Sequence, residues 1–107
     1  DDISAVCKEI NISSKNKKPE SFKIAFGGMS GIPQRSQKLE HFLLKNWQND
    51  DIASLAYEVL NEEFSPFTDV RATSEYRLQV SANLVKKTIL IYQDEPIENL
   101  AEFSQLN

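Results

Sequence analysis

Cysteine is almost missing from this chain of 107 residues: Cys7 stands alone. One thiol excludes an internal disulfide and a cysteine-based metal cage, and fits a reducing, cytoplasmic setting. Glycine is scarce, with 3 residues in all. Gly27-Gly28 forms no GxGxxG frame, which leaves no Gly-rich phosphate loop. The single histidine, His41, has no nearby Cys, Asp or second His. A general base needs a partner within hydrogen-bond reach, so a surface or packing role is the favoured reading. No apolar run approaches the ~18 residues that would suggest a membrane span. Positive charge is the minority sign: 12 basic residues face 16 acidic ones, giving a net charge of -4. That balance disfavours nucleic acid as a partner, and Lys15, Lys17 and Lys18 form too short a basic patch to reverse it. No nucleophile–base pair or metal-ligand cluster is visible, so the residues indicate no catalytic site and no metal site.

What is present is ordinary globular composition, 40% hydrophobic and 26% charged, enough for one small domain with a single core. The opening Asp1-Asp2, with no initiator methionine, is expected of a piece of a longer chain. Strands are expected at about 3–13 and 20–29. In the first, Ile3, Ala5 and Cys7 point one way and Ile10 and Ile12 the other, so a bulge is expected near Lys8-Glu9. Ser13 to Glu20, with its lysines and Pro19, reads as an exposed hairpin loop. Phe22, Ile24 and Phe26 then alternate on one face of the second strand. Gly27-Gly28 ends that strand, either as a turn or bulge or as a backbone surface pressed against a cofactor or another domain. A short third strand is expected near Gln34 to Ser36.

Three helices follow, at about 37–44, 50–63 and 74–92. Ser36 can cap the first, which buries Leu39, Phe42 and Leu43. Asn49 caps the second, with Asp50 and Asp51 in its first turn and Ile52, Leu55, Ala56, Val59 and Leu60 on one face. Ser65-Pro66-Phe67 leads to a polar loop and the longest helix, with Thr73 as its N-cap and Glu75 in its first turn. Leu78, Ala82, Val85 and Ile89 form one stripe, and Val80, Leu84, Thr88 and Ile91 a second. An apolar face that wide implies packing on two sides. Asp69 and Arg71 are close enough to pair. Arg71 and Arg77 either tie the loop to the fold or face a partner domain. Residues 94–107 read as a C-terminal tail, with one short helical turn over Ile97 to Phe103 and a frayed end. The fold class is α+β: an antiparallel sheet of about three N-terminal strands packed against three helices.

Three segments carry a resemblance: DDISAV at Asp1–Val6, FKIAFGGM at Phe22–Met29 and TDVRATSEYRLQVSANLV at Thr68–Val85. In order and spacing they resemble the C-terminal domain of the FAD-binding subunit of xanthine dehydrogenase and related molybdenum hydroxylases, with residues 1–93 as the domain. The resemblance implies a part in an oxidoreductase of purine catabolism. Electrons there pass from a molybdopterin centre through 2Fe-2S clusters to FAD, with NAD as acceptor. It implies two partners, the preceding FAD-binding region of the same chain and a molybdopterin-binding subunit. It also places Asp1 and Asp2 near the flavin, and makes Gly27, Gly28, Asp69, Arg71, Tyr76 and Arg77 signature positions with a structural role. None of the cluster cysteines or FAD loops lies in these residues, so the isolated domain is expected to be non-catalytic and to bind neither FAD nor NAD tightly. The competing reading is a free-standing interaction or dimerisation domain with no redox activity, built on an exposed sheet edge.

Overall fold

The computed structural model describes residues 7–27, 34–63 and 71–103. Three N-terminal strands come first: β1 (Cys7–Lys15), β2 (Lys18–Phe26) and the two-residue β3 (Gln34–Arg35). Three helices follow, α1 (Gln37–Asn46), α2 (Ile52–Glu63) and α3 (Arg71–Asp94), and then a fourth strand, β4 (Asn99–Phe103). All pairings are antiparallel, in the order β3-β2-β1-β4. The class is α+β, as the sequence implied.

The change of phase in β1 is real. Its register on β2 shifts between Cys7 and Glu9. The extra residue lets Cys7, Ile10 and Ile12 all reach the helix-covered face. On β2, Phe22, Ile24 and Phe26 are buried in strict alternation.

The hairpin differs from expectation. Its strands run on to Lys15 and resume at Lys18, so the loop is only Asn16-Lys17. Both turn residues take positive φ, 55° and 65°. That matches a type I′ turn, whose twist follows that of the strands it joins. Asn tolerates this region well, whereas a lysine there carries a Cβ penalty. Ser14, expected in an exposed loop, is buried.

Packing follows the helix patterns. α1 lies on β2, α3 lies on β1 and β4, and α2 packs on α1 and α3. Ser36 caps α1 as expected, its Oγ accepting from the Leu39 N–H at 3.1 Å. Asn49 accepts from the Asp51 N–H at 2.8 Å, while regular α2 begins two residues later than expected, at Ile52. α3 buries Leu78, Ala82, Leu84, Val85, Thr88, Ile89 and Tyr92, the wide face required of a helix held between α2 and the sheet. Thr73 does not cap it, because the chain is already helical at Arg71.

The largest correction is at the C-terminal end. Ile97 to Phe103 forms no helical turn. Residues 99–103 pair with Glu9 to Ser13 of β1, and Leu100 enters the core. The outer edge of β1 carries unpaired main-chain groups unless another strand covers them, and β4 supplies that strand.

Candidate functional site

Two ends of the domain can be told apart by what the described residues do there. At one end β1 begins, β2 stops and β3 pairs with it: Cys7 lies opposite Phe26, and Phe26 opposite Gln34. The start of β1 is tied to α3 by the Cys7 N–H, which donates to Ser81 Oγ at 2.8 Å. Ser81 Oγ in turn donates to the Arg77 carbonyl at 2.9 Å. The Ser36 hydroxyl donates to Glu63 Oε1, which sets the end of α2 beside the start of α1.

The direction of α3 follows from two contacts. Lys87 pairs with Glu102, which sits opposite Ile10, while Ser81 meets Cys7. The helix therefore approaches the start of β1 as it is followed towards its own N-terminus. Its first ten residues, Arg71 to Val80, extend past Ser81 by roughly 15 Å at ~1.5 Å per residue.

The cluster with the most buried charge lies on the β3 side of the sheet. Glu40, only 5% exposed, accepts the Ile24 N–H at 2.9 Å and the Arg35 Nε at 3.0 Å through Oε2. Its Oε1 accepts Arg35 Nη2 at 2.7 Å. β3 covers β2 only at Ala25 and Phe26. Where it runs out, the Glu40 carboxylate takes the place of a neighbouring strand. Glu40 raises the Arg35 pKa, first by hydrogen bonding and then by its charge. The work of this cluster is to close a sheet edge. The sequence did not reveal it, because a carboxylate early in a helix ordinarily reads as dipole complement on the solvent side. The only hint was Arg35 five residues before Glu40.

Cys7 is buried, and burial pushes its thiol up to about 12, with a smaller opposing effect from a backbone hydrogen bond at Glu9. A thiol so hard to ionise is a poor nucleophile and a poor metal ligand. His41 is exposed on α1. Among the described residues no group of His, Cys, Asp and Glu has metal-binding geometry, and no helix is long and apolar enough to cross a membrane.

The signature residues divide between described and undescribed positions. Gly27 is half-buried directly after β2. Tyr76 is 60% exposed in the early turns of α3, and Arg77 is half-buried one residue on. Asp1, Asp2, Gly28, Asp69 and the Arg71 side chain lie outside the described residues. Cys7, directly after the first motif, Phe26 within the second and the early turns of α3 within the third are thus brought to one end of the fold. The opposite end holds two clefts that share Trp47 and Gln48. One, of about 230 Å³, is also lined by Asn49, Ile52, Lys86 and Leu90; the other, of about 450 Å³, by Lys17, Lys18, Pro19 and Leu44.

The family model for the CO dehydrogenase flavoprotein C-terminal domain matches residues 1–91. The chain belongs to that family. It is therefore a domain of the flavoprotein subunit of molybdenum hydroxylases, a class of oxidoreductase that carries FAD. No curated protein and no solved structure matches the chain significantly. Neither cleft is bordered by a residue of the three motifs, and no Gly-rich loop is present to receive a pyrophosphate. β4 begins eight residues beyond the end of the matched segment.

Proposed function

We propose that this chain is the C-terminal supporting domain of the FAD-binding subunit of a xanthine dehydrogenase, and that it acts by packing rather than by chemistry. The observation that carries the reading is the family match over residues 1–91, together with the convergence of Cys7, Phe26 and Ser81, positions in or beside the motifs, on one end of the fold. The wording of the third motif, with SEYRLQVSANL at residues 74–84, favours the xanthine dehydrogenase branch. The motif end is then the face that meets the preceding FAD-binding region. The family resemblance assigns Asp1 and Asp2 to the flavin side of that junction, and Tyr76 offers an exposed aromatic surface for docking. The molybdopterin-binding subunit, the 2Fe-2S clusters and NAD complete the electron path in the assembled cytoplasmic enzyme. A carboxylate near the isoalloxazine would disfavour the anionic reduced flavin by charge repulsion.

Two measurements test this. Fluorescence titration of the purified domain with FAD is expected to show no saturable micromolar complex, and such a complex would refute the supporting role. The assembled enzyme containing this domain is expected to reduce NAD+ with xanthine as donor. An assembly that turns over carbon monoxide but leaves xanthine untouched removes the xanthine assignment and keeps the family.

A further inference from the structure

β4 is one of the two edge strands of the sheet. It pairs with one neighbour, β1, over five residues, and beyond main-chain pairing its hold is slight. Leu100 is its single buried apolar side chain, at 8% exposure, while Asn99, Ala101 and Phe103 are exposed. Two serines of β1 supply the other contacts. Ser13 Oγ donates to Asn99 Oδ1 at 3.3 Å, and Ser14 Oγ donates to the Ile97 carbonyl at 3.0 Å. The Lys87–Glu102 pair, at 3.6 Å, is a partly exposed ion pair of small weight. A link of only four residues, Glu95 to Glu98, reverses the chain from α3 into β4. The strand lies wholly outside the segment that matches the family.

Beneath it, β1 offers a complete strand edge. The Ser14 N–H donates to the Glu98 carbonyl at 2.8 Å, and the Ile24 N–H turns away from β1 towards Glu40. Alternation along an antiparallel ladder then directs the main-chain groups of Ile10, Ile12 and Ser14 to the β4 side. The Ile10 and Ile12 side chains lie in the core, and Ser14 is buried at the end of the same face.

We propose that the outer edge of β1 is a strand-acceptor site, filled within one chain by its own β4 and able to receive β4 from a second copy. The second copy is the occupant that fits, because the register, the Leu100 socket and the Ser13–Asn99 contact are already matched to this strand. An exchange of β4 between two chains reproduces the pairing of residues 99–103, the burial of Leu100 and the Ser13–Asn99 contact, and alters only the contacts of the link at Ile97 and Glu98.

The first test supplies the strand in trans. A chain ending at Asp94 is mixed with a peptide of residues 95–107, and binding is followed by calorimetry and amide exchange. Saturable binding that restores protection at Ile10, Ile12 and Ser14 is expected. A truncated chain that keeps its helical signal and ignores the peptide overturns the site. The second test keeps β4 attached and deletes Pro96 and Ile97, which shortens the link to two residues. Sedimentation is expected to show a dimer with the Ile10 and Ile12 amides protected, and a monomer overturns the exchange. Adding Leu100→Asp to the shortened chain is expected to return it to monomer. A dimer that persists uses some other surface, and that result also overturns the proposal.

Discussion

At the end where β1 begins, buried polar groups hold the elements together one by one. The Cys7 N–H has Ser81, Ile24 on the neighbouring β2 has Glu40, and Ser36 has Glu63. At the end where the hairpin turns, Ser14 ties β1 to the link before β4, while α1 and α3 meet through shape. Trp47 stands edge-on to Tyr92, with ring centroids 5.7 Å apart, beside a two-residue turn and two open clefts. The contrast bears on role. Buried hydrogen bonds fix relative position closely, because a misplaced partner leaves a desolvated group unpaired. Positional control is concentrated where the family motifs converge. That suits a face that must present a fixed surface to a neighbouring region.

The comparison breaks if the polar end proves dispensable. Glu40→Ala is expected to have the largest effect, a loss of about 2–4 kcal/mol in urea unfolding, since it strands a buried N–H and frees one edge of β2. Glu40→Gln should cost less, because an amide oxygen still accepts from Ile24. A loss under about 1 kcal/mol for the alanine variant would mean that water replaces the carboxylate. Ser81→Ala is expected next, at about 1–2 kcal/mol, from the unpaired Cys7 N–H. The Cys7 thiol gives the same end a pH signature. Its folded pKa is raised, so the stability it contributes is complete below the ordinary thiol range and is lost as pH climbs towards about 12. A native thiol that reacts with a disulfide reagent at neutral pH as fast as the unfolded chain would contradict its burial.

Much of this architecture was legible beforehand, for identifiable reasons. The bulge in β1 showed as a break in parity between Cys7 and Ile10, and a strand of period two can shift phase only by adding a residue. The two-sided burial of α3 showed as two adjacent stripes. Three things were not legible. Glu40 sits inside an amphipathic helix, where carboxylates usually meet water. β4 buries one residue of five, so its alternation is too faint to distinguish it from a tail. Asn16-Lys17 lacks the glycine that usually marks a type I′ turn, and the lysines around it suggested a longer loop. Of the candidate interface, the motif wording was readable at once. The meeting of its segments at one end needed the pairing of Cys7 with Phe26 and the Ser81 hydrogen bond.

The turn end should respond in the other direction, since it retains room for improvement. Lys17→Gly removes a Cβ from a backbone held at φ 65° and is expected to raise stability by about 0.5–1 kcal/mol, read as a higher urea midpoint with an unchanged slope. A lower midpoint would show that the lysine side chain contributes more than its backbone strain takes away.

The smallest expected effect is at Tyr92, and it separates the two ends most cleanly. Its ring is buried against Trp47, yet its hydroxyl has no hydrogen-bond partner among the described residues. At the polar end, removing a buried hydroxyl should be costly, as with Ser81. Here a phenylalanine keeps the edge-on contact and removes only a group desolvated without return, so Tyr92→Phe is expected to be neutral or stabilising by up to about 1 kcal/mol. The single tryptophan makes the measurement direct, because Trp47 emission reports both the unfolding midpoint and the local packing. A loss above about 1 kcal/mol would mean that the hydroxyl is satisfied by water, and the division between a polar end and a shape-packed end would then fail at its clearest point.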